Sequence, residues 1–294
     1  MWTFRSVRIV SRLEVMNFGI PLAIASALAY GAADFVGGVG ARRHSAWQIA
    51  LIGQAAGAVV MLAVALAVPA APGAADFVWA LLAGAGSAVG SIALYRGLAR
   101  GSMGLVAPLS GVGAAVLPLL AGIAFGERPG WLVWVGVAVA LPGIWLVSRD
   151  SSGDGTADPR AALVDGGIAG AGFGVLFIAL DQISDDAGLL PLAANQSIGA
   201  VVTLVVAAAL GQPWRPTPDV LGWGCASGVL GAAGTLAFVI ATGATSLAIA
   251  AVLTSLYPAV TVLLAAALLR ERVGLSQRAG IGLCTLAVAA MALG

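Results

Sequence analysis

An internal duplication constrains the fold of this chain more than any other feature of its sequence. Residues 104–146 recur without a gap as residues 248–290, so that Glu127 falls on Glu271 within a shared Glu-Arg-x-Gly pattern. Chance matches of Ala and Leu are common in so apolar a chain, but a charged pair at a fixed distance from a glycine, between two apolar runs, is not. A repeat of this size indicates two copies of one structural unit.

The match extends upstream of these segments. Trp79 falls on Trp223 in the same register, and Gln54 falls on Gln196 after a slip of two residues. A stretch rich in Ser, Gly and Asp separates the copies and is typical of a flexible connector. The expected organisation is a lead over residues 1–17, a first repeat over 18–148, a linker over 149–160 and a second repeat over 161–294.

The composition is that of an integral membrane protein. Hydrophobic residues make up 60% of the chain and charged residues only 9%, whereas a soluble domain carries about 25% charged residues. A water-soluble core cannot bury that much apolar surface. The net charge of +1 argues against an extended basic surface for nucleic acid.

Ten apolar segments come close to the ~20 residues that cross a bilayer. They lie at about 18–39, 47–68, 76–97, 103–125, 131–148, 161–180, 189–210, 219–241, 247–269 and 276–293. Because each repeat holds an odd number of spans, the second enters the membrane from the opposite side, which is the layout of many secondary transporters. The expected fold class is all-α integral membrane, with ten transmembrane helices as two inverted five-helix repeats and both chain ends on one side.

Glycine and proline have different structural effects in membrane helices. Small residues let helices approach closely in lipid, so most of the 41 glycines are expected at helix contacts. Prolines interrupt the hydrogen-bond ladder and are tolerated within membrane helices. The candidate bends are Pro21, Pro108, Pro118, Pro142 and Pro258.

Segments 94–147 and 252–283, together with YGAADFVGG at 30–38, resemble the EamA-like branch of the drug/metabolite transporter superfamily. The resemblance covers nearly the whole chain, with one departure: Pro258 of the second repeat corresponds to Ala114 in the first. It implies a secondary transporter of the cytoplasmic membrane that works by alternating access, with a central cavity lined by helices 1, 3, 4, 6, 8 and 9. The family's substrates range over amino acids, nucleosides, sugars and drugs, so the resemblance names no substrate.

Asp34 is the only carboxylate well inside a predicted span. Because a charge at the bilayer centre costs ~2.5–3.5 kcal/mol on insertion scales, we expect Asp34 to face the bundle interior or a watery cavity. Its counterpart in the second repeat is the neutral Phe177. Asp34 is therefore the candidate coupling residue, which binds a proton in one conformation and releases it in the other, or pairs with an amine-bearing substrate. The alternative is an ion pair with Arg42 or Arg43 at the membrane rim.

Aromatic and hydroxyl side chains on the family's cavity helices complete the candidate site. The substrate-binding residues that the resemblance implies are Tyr30, Asp34, Tyr95, Phe173, Phe177, Thr235, Phe238, Thr254 and Tyr257. For each aromatic residue, the alternative is a side chain that faces lipid or packs in the core. The amides of Gln54, Asn195 and Gln196 are expected to form interhelical hydrogen bonds in preference to ligand contacts.

Glu127 and Glu271 open the turns before the fifth and tenth predicted helices. A carboxylate is favourable near a helix N-terminus. We expect these residues to act as caps or interface pairs, against the alternative of a gating role.

These features favour secondary transport of a small metabolite or drug-like solute. The expected partners are that solute and the lipid bilayer, with protons and a second copy of the chain as further candidates. A passive channel is the alternative. A prenyl-transferase-like enzyme would need Asp181, Asp185 and Asp186 to hold Mg²⁺ and a diphosphate, but the second acidic cluster of such a site is missing. With His44 the only histidine, and neither G-x-S-x-G nor G-x-G-x-x-G present, we expect no enzyme activity, cofactor or metal.

The orientation of the chain in the membrane is contested. A cytoplasmic N-terminus would leave only Arg5, Arg8, Arg12 and Arg128 in the inner loops, so positive-inside counting favours termini outside. The resemblance implies termini inside. We predict only that both ends share one side.

Overall fold

The computed structural model describes residues 3–67, 70–100, 103–148, 159–268 and 274–292. These residues form helices and connecting turns, with no strand among them. The α-helices are α1 (Thr3–Arg43), α2 (Ala46–Ala65), α3 (Ala74–Ala99), α4 (Met103–Ala124), α5 (Trp131–Ser148), α6 (Pro159–Asp181), α7 (Leu190–Ala209), α8 (Pro218–Ala244), α9 (Leu247–Thr254), α10 (Tyr257–Leu268) and α11 (Leu275–Ala292). A short 3-10 helix, Asp185–Ala187, precedes α7. The predicted linker lies outside the described residues as far as residue 158.

The expected fold class is confirmed. Six described helices are long and apolar enough to cross a membrane, namely α1 from Phe18, α2, α3, α6 from Leu163, α7 and α8. With α9 and α10 taken as one span, the described helices make ten passes in two inverted sets of five. We call the side with loops 66–73 and 182–189 the terminal end, and the side with loop 210–217 the linker end.

The ninth span departs from the predicted continuous helix. α9 ends at Thr254 and α10 begins at Tyr257, with a turn at Ser255 and Leu256 between them. Pro258 explains the break, because proline has no N–H to donate and its ring clashes with the carbonyl four residues earlier, that of Thr254. In the first repeat Ala114 stands at the matching position, and α4 is continuous.

The other candidate bends do not break their helices. Pro21 lies inside α1 and Pro142 inside α5, and positions 108 and 118 fall within the uninterrupted α4. Among the described prolines of the predicted spans, only Pro258 therefore coincides with a helix break. The difference makes the two repeats unequal at the centre of the membrane.

Helices pair across the two repeats. α1 packs along α8, and its equivalent α6 packs along α3, while α2 crosses α7 and α5 packs against α11. Because apolar burial does not drive helix association in lipid, such pairs depend on close backbone approach. Gly228 of α8 shows how close this is, since a Cβ there would lie 2.8 Å from the Cα of Gly53 in α2. The central interface therefore belongs to both repeats.

Glu127 is a helix cap, but for a helix of the other repeat. It precedes α5 in sequence, yet its carboxylate accepts hydrogen bonds from the backbone N–H groups of Leu247 (2.7 Å) and Ala248 (3.2 Å) at the start of α9. The inverted arrangement places the end of α4 and the start of α9 together at the terminal end. The matching residue Glu271 lies outside the described residues.

At the linker end, a buried carboxylate joins α6 to α3. Asp165, with 2% of its side chain exposed, forms ion pairs with Arg96 and Arg100. Arg96 donates from Nε at 2.9 Å, and Arg100 Nη1 lies 3.2 Å from the second carboxylate oxygen. The matching positions in the second repeat's α8 hold Ile240 and Ala244, so this ion pair has no counterpart there.

Candidate functional site

A cavity lies between the two repeats. It holds about 670 Å³ of empty space, including the part that opens to the outside. Its walls come from α1, α2 and α3 of the first repeat and from α6, α7, α8 and α10 of the second. The lining is largely apolar and aromatic, Asp34 is the only acid among the described lining residues, and none of them is basic. An apolar cavity with a few convergent polar groups is the usual form of a small-molecule site.

Most of the residues predicted to bind substrate meet in this cavity. Those that line it are Tyr30, Asp34, Tyr95, Phe173, Phe177, Thr235 and Tyr257. They come from five helices of both repeats, so a ligand held by them would contact both halves. This placement matches the expected position of a binding site in a transporter built from inverted repeats.

The remaining two predicted residues lie behind the cavity wall. Phe238 is fully buried and stacks on Phe177, with ring centroids 4.5 Å apart. Thr254 is also fully buried, and its hydroxyl donates to the backbone carbonyl of Ala23 at 3.4 Å. Neither lines the cavity. Both side chains therefore pack behind the lining residues and do not face the cavity.

The choice of lining helices differs from the one that the resemblance implied. α2 and α7 contribute lining residues, among them Gln54 and Gln196, whereas no described residue of α4 does. The cause is the crossing of α2 and α7 at the centre of the interface. Helix α4 contributes indirectly, because the hydroxyl of its Ser110 is hydrogen-bonded to that of Tyr257, which lines the cavity. The recurrence of glutamine in both repeats was the one sequence signal for these positions.

The three tyrosines are anchored by hydroxyl groups on neighbouring helices. The pairs are Tyr30 with Thr235 at 2.8 Å, Tyr95 with Ser227 at 2.9 Å and Tyr257 with Ser110 at 2.8 Å. Each pair joins two helices, and each satisfies a phenol group that would otherwise be costly to bury. The rings are thereby held in fixed orientations on the cavity wall.

Aromatic contacts join these rings into one wall. Tyr30 lies 5.9 Å from Phe177 at an angle of 53°, and Phe173 meets Tyr257 edge to face at 6.3 Å and 82°. Such tilted and edge-on pairs are the favoured arrangements of aromatic rings. The wall therefore presents several ring faces and edges to whatever occupies the cavity.

Asp34 lies on this wall without a counterion. It is half-buried and forms no hydrogen bond or ion pair with any residue that the structure describes. The alternative of an ion pair at the rim is not observed, and the guanidinium group of Arg43 lies over the ring of Trp223, 5.7 Å from its centre. The three tyrosines Tyr30, Tyr95 and Tyr257 line the same cavity. Among the described lining residues, Asp34 therefore carries the one carboxyl group available to a ligand or a proton.

The expected interhelical hydrogen bond of Gln54 does not form. Both atoms of its amide group are buried and have no hydrogen-bond partner among the described residues, and the same holds for the amide oxygen of Asn195. Gln54 and Gln196 are each 6% exposed and both line the cavity. The cavity therefore carries a second polar region besides Asp34.

The acidic run considered for Mg²⁺ lies away from this cavity. Asp181 ends α6 at the terminal end, and the backbone carbonyl of Asp186 accepts a hydrogen bond from Ala71 at 3.0 Å. Within the described ranges, no three His, Cys, Asp or Glu side chains are close enough to share a metal ion.

Comparisons with known proteins agree with this architecture. The model of the EamA-like transporter family matches the sequence at residues 17–149 and again at 166–293. No curated protein matches the chain in sequence. Among solved structures 23 chains match, and one of them, described simply as the crystal structure of a protein, aligns over 92% of this chain and 95% of its own, with a TM-score of 0.72 and 14% sequence identity. At that identity the likeness concerns the fold alone.

Proposed function

The chain belongs to the EamA-like transporter family, and on that basis we propose that it is a secondary active transporter in which Asp34 couples the movement of a small solute to protons. The solute is a metabolite or drug-like compound, and the route crosses the cytoplasmic membrane by alternating access. The observation that carries this proposal is an unpaired carboxyl group in a cavity shared by two inverted repeats.

The coupling role follows from the cost of an isolated charge. A carboxylate withdrawn from water without a partner is unfavourable, so it is neutralised by a proton or paired with a cation. In a cavity that opens to each side in turn, Asp34 meets water of different proton concentration in the two conformations. A proton bound on one side and released on the other links solute movement to the proton gradient. An amine-bearing solute would compete with the proton for the same group.

The test requires a transported solute, which a thermal-shift screen of the purified protein against a metabolite library supplies, because a ligand of the folded state raises its apparent stability. Uptake of that solute into proteoliposomes is then measured with and without an imposed pH gradient. We expect the wild type to respond to the gradient and Asp34→Asn to lose the response, because asparagine keeps the shape but not the proton. Asp219→Asn is the matched control, since Asp219 is exposed at the start of α8.

Two results would overturn parts of the proposal. An Asp34→Asn variant that keeps both its transport rate and its pH-gradient dependence would remove the coupling role. Flux that does not saturate and shows no counterflow would indicate a passive channel in place of a transporter.

A further inference from the structure

Gln54 and Gln196 occupy matching positions of the two repeats at the crossing of α2 and α7. Each lies against a glycine of the other's helix: the amide of Gln54 abuts Gly199, and a Cβ on Gly57 would lie 2.8 Å from the amide nitrogen of Gln196. Gly57 and Gly199 are themselves matching positions of the repeat. The arrangement is reciprocal, and both residues line the cavity.

Neither amide serves the packing of the helices through a hydrogen bond. The oxygen and nitrogen of Gln54 are buried without a partner among the described residues, and no described residue bonds the side chain of Gln196 either. A buried polar group left unsatisfied destabilises the folded protein, because it has lost its hydrogen bonds to water without replacement. Such groups are rare in folded proteins and call for an explanation. A leucine at position 54 would fill the same space without that cost.

We propose that Gln54 and Gln196 form a hydrogen-bonding subsite of the cavity, separate from Asp34, for a part of the solute that carries a donor and an acceptor side by side, as a carboxamide does. An amide side chain offers one acceptor oxygen and two N–H donors. Glutamine pairs in this two-bonded way with flat donor–acceptor edges such as that of adenine. The proposal rests on the proposed transport function, because it assigns a second contact to the same solute.

The subsite defines a class of solute. The solute has a cationic amine that pairs with Asp34 and a flat or apolar body that packs on the aromatic wall. It also has a neutral donor–acceptor edge that hydrogen-bonds the two glutamines. A site built around a hydrogen bond discriminates strongly against analogues that lack the matching group, because its own polar atoms are then left unpaired. Selectivity of this transporter is therefore expected to depend on the neutral edge as well as on charge.

The first test needs no ligand. If the amide of Gln54 awaits a solute, Gln54→Leu leaves the thermal stability of the solute-free protein unchanged or raises it, because an unsatisfied group is replaced by an apolar one of similar size. Ser110→Ala is the contrasting variant: it removes the partner of Tyr257 and lowers the melting temperature. A fall for Gln54→Leu as large as that for Ser110→Ala would show that the amide stabilises the helix crossing and would overturn the subsite.

The second test uses two probes, phenethylamine and its para-carboxamide, which share the amine and the ring. Binding to the purified protein is followed by tryptophan fluorescence. We expect the carboxamide to bind the wild type about fivefold more tightly, in keeping with one to two net hydrogen bonds, and the preference to vanish in Gln54→Leu. Equal affinities in the wild type, including failure of both probes to bind, would overturn the subsite, as would a preference that survives in Gln54→Leu.

Failure of the proposed function gives a different pattern. In Asp34→Asn both probes are expected to bind more weakly while the preference for the carboxamide remains. Unchanged affinities in Asp34→Asn would count against the role of Asp34 and leave the subsite standing.

Discussion

The carboxylate of Glu127 in the first repeat accepts a hydrogen bond from the backbone N–H of Leu247 in the second, at 2.7 Å. A charged side chain thus satisfies a free N–H at the start of α9, where the helix dipole also favours negative charge. We expect Glu127→Ala to destabilise the protein by about 1 kcal/mol, the usual loss for a helix cap.

Thermal unfolding in detergent, followed by tryptophan fluorescence, measures this effect. Arg128→Ala is the matched control, because Arg128 is the next residue and is exposed. Glu127→Gln keeps an acceptor oxygen and is expected to fall between the wild type and the alanine variant. Equal melting temperatures for the wild type and Glu127→Ala would show that the contact contributes nothing to stability.

The ion pair of Asp165 with Arg96 stabilises the contact between α3 and α6. Removing one partner of a fully buried pair costs about 3–5 kcal/mol, but Arg96 and Arg100 are 35% and 54% exposed. We therefore expect a smaller loss for Asp165→Asn, about 1–3 kcal/mol, because water solvates both guanidinium groups in part. The measurement is the melting temperature in detergent, and Asp186→Asn, at an exposed position of the loop before α7, should leave it near the wild-type value. A loss no larger than that of the control would contradict the stabilising role.

Gly228 is expected to tolerate no side chain. A Cβ there would lie 2.7 Å from the backbone carbonyl carbon of Gly53, and backbone cannot move aside as a side chain can. Gly228→Ala should therefore force α8 away from α2 and cost about 1–3 kcal/mol, as overpacking does.

Gly222 provides the control in the same helix, because nothing lies within 4 Å of the Cβ that alanine would add. Gly222→Ala should be neutral or stabilising, since alanine favours a helix over glycine. The fraction of protein that survives a heat step as a single species in size-exclusion chromatography compares the two. Similar survival of both variants would disprove the close approach of α8 and α2.

The two ends of the chain are expected on one side of the membrane, opposite the linker. This follows from ten passes, five in each repeat. Reporter fusions at the N-terminus, at the C-terminus and within residues 149–158 should place the first two in one compartment and the third in the other. Opposite compartments for the two chain ends would refute the ten-span topology.

The sequence by itself determined the duplication, the ten spans, the all-α membrane fold and the family. These properties depend only on the order of residues along the chain. A span requires enough consecutive apolar residues, and a repeat is recognised from residues that match at a constant offset. Pro258 is an intermediate case. The sequence shows a proline within the span, but it does not show whether the helix breaks there, since α1 and α5 each contain a proline without a break. The sequence also predicts that the candidate aromatic residues of the first, third, sixth and ninth spans reach the cavity, and they line it.

Only the tertiary structure decided which face of each helix meets the cavity and which residues meet across the repeats. In lipid a helix can be apolar on every side, so its hydropathy pattern does not report its rotation. For that reason the predicted lining includes Phe238 and Thr254, although they lie behind it, and the hydrogen bond predicted for Gln54 does not form. The pairing of Glu127 with α9, across 120 residues of chain, likewise arises from the inverted packing of the halves and leaves no local trace in the sequence.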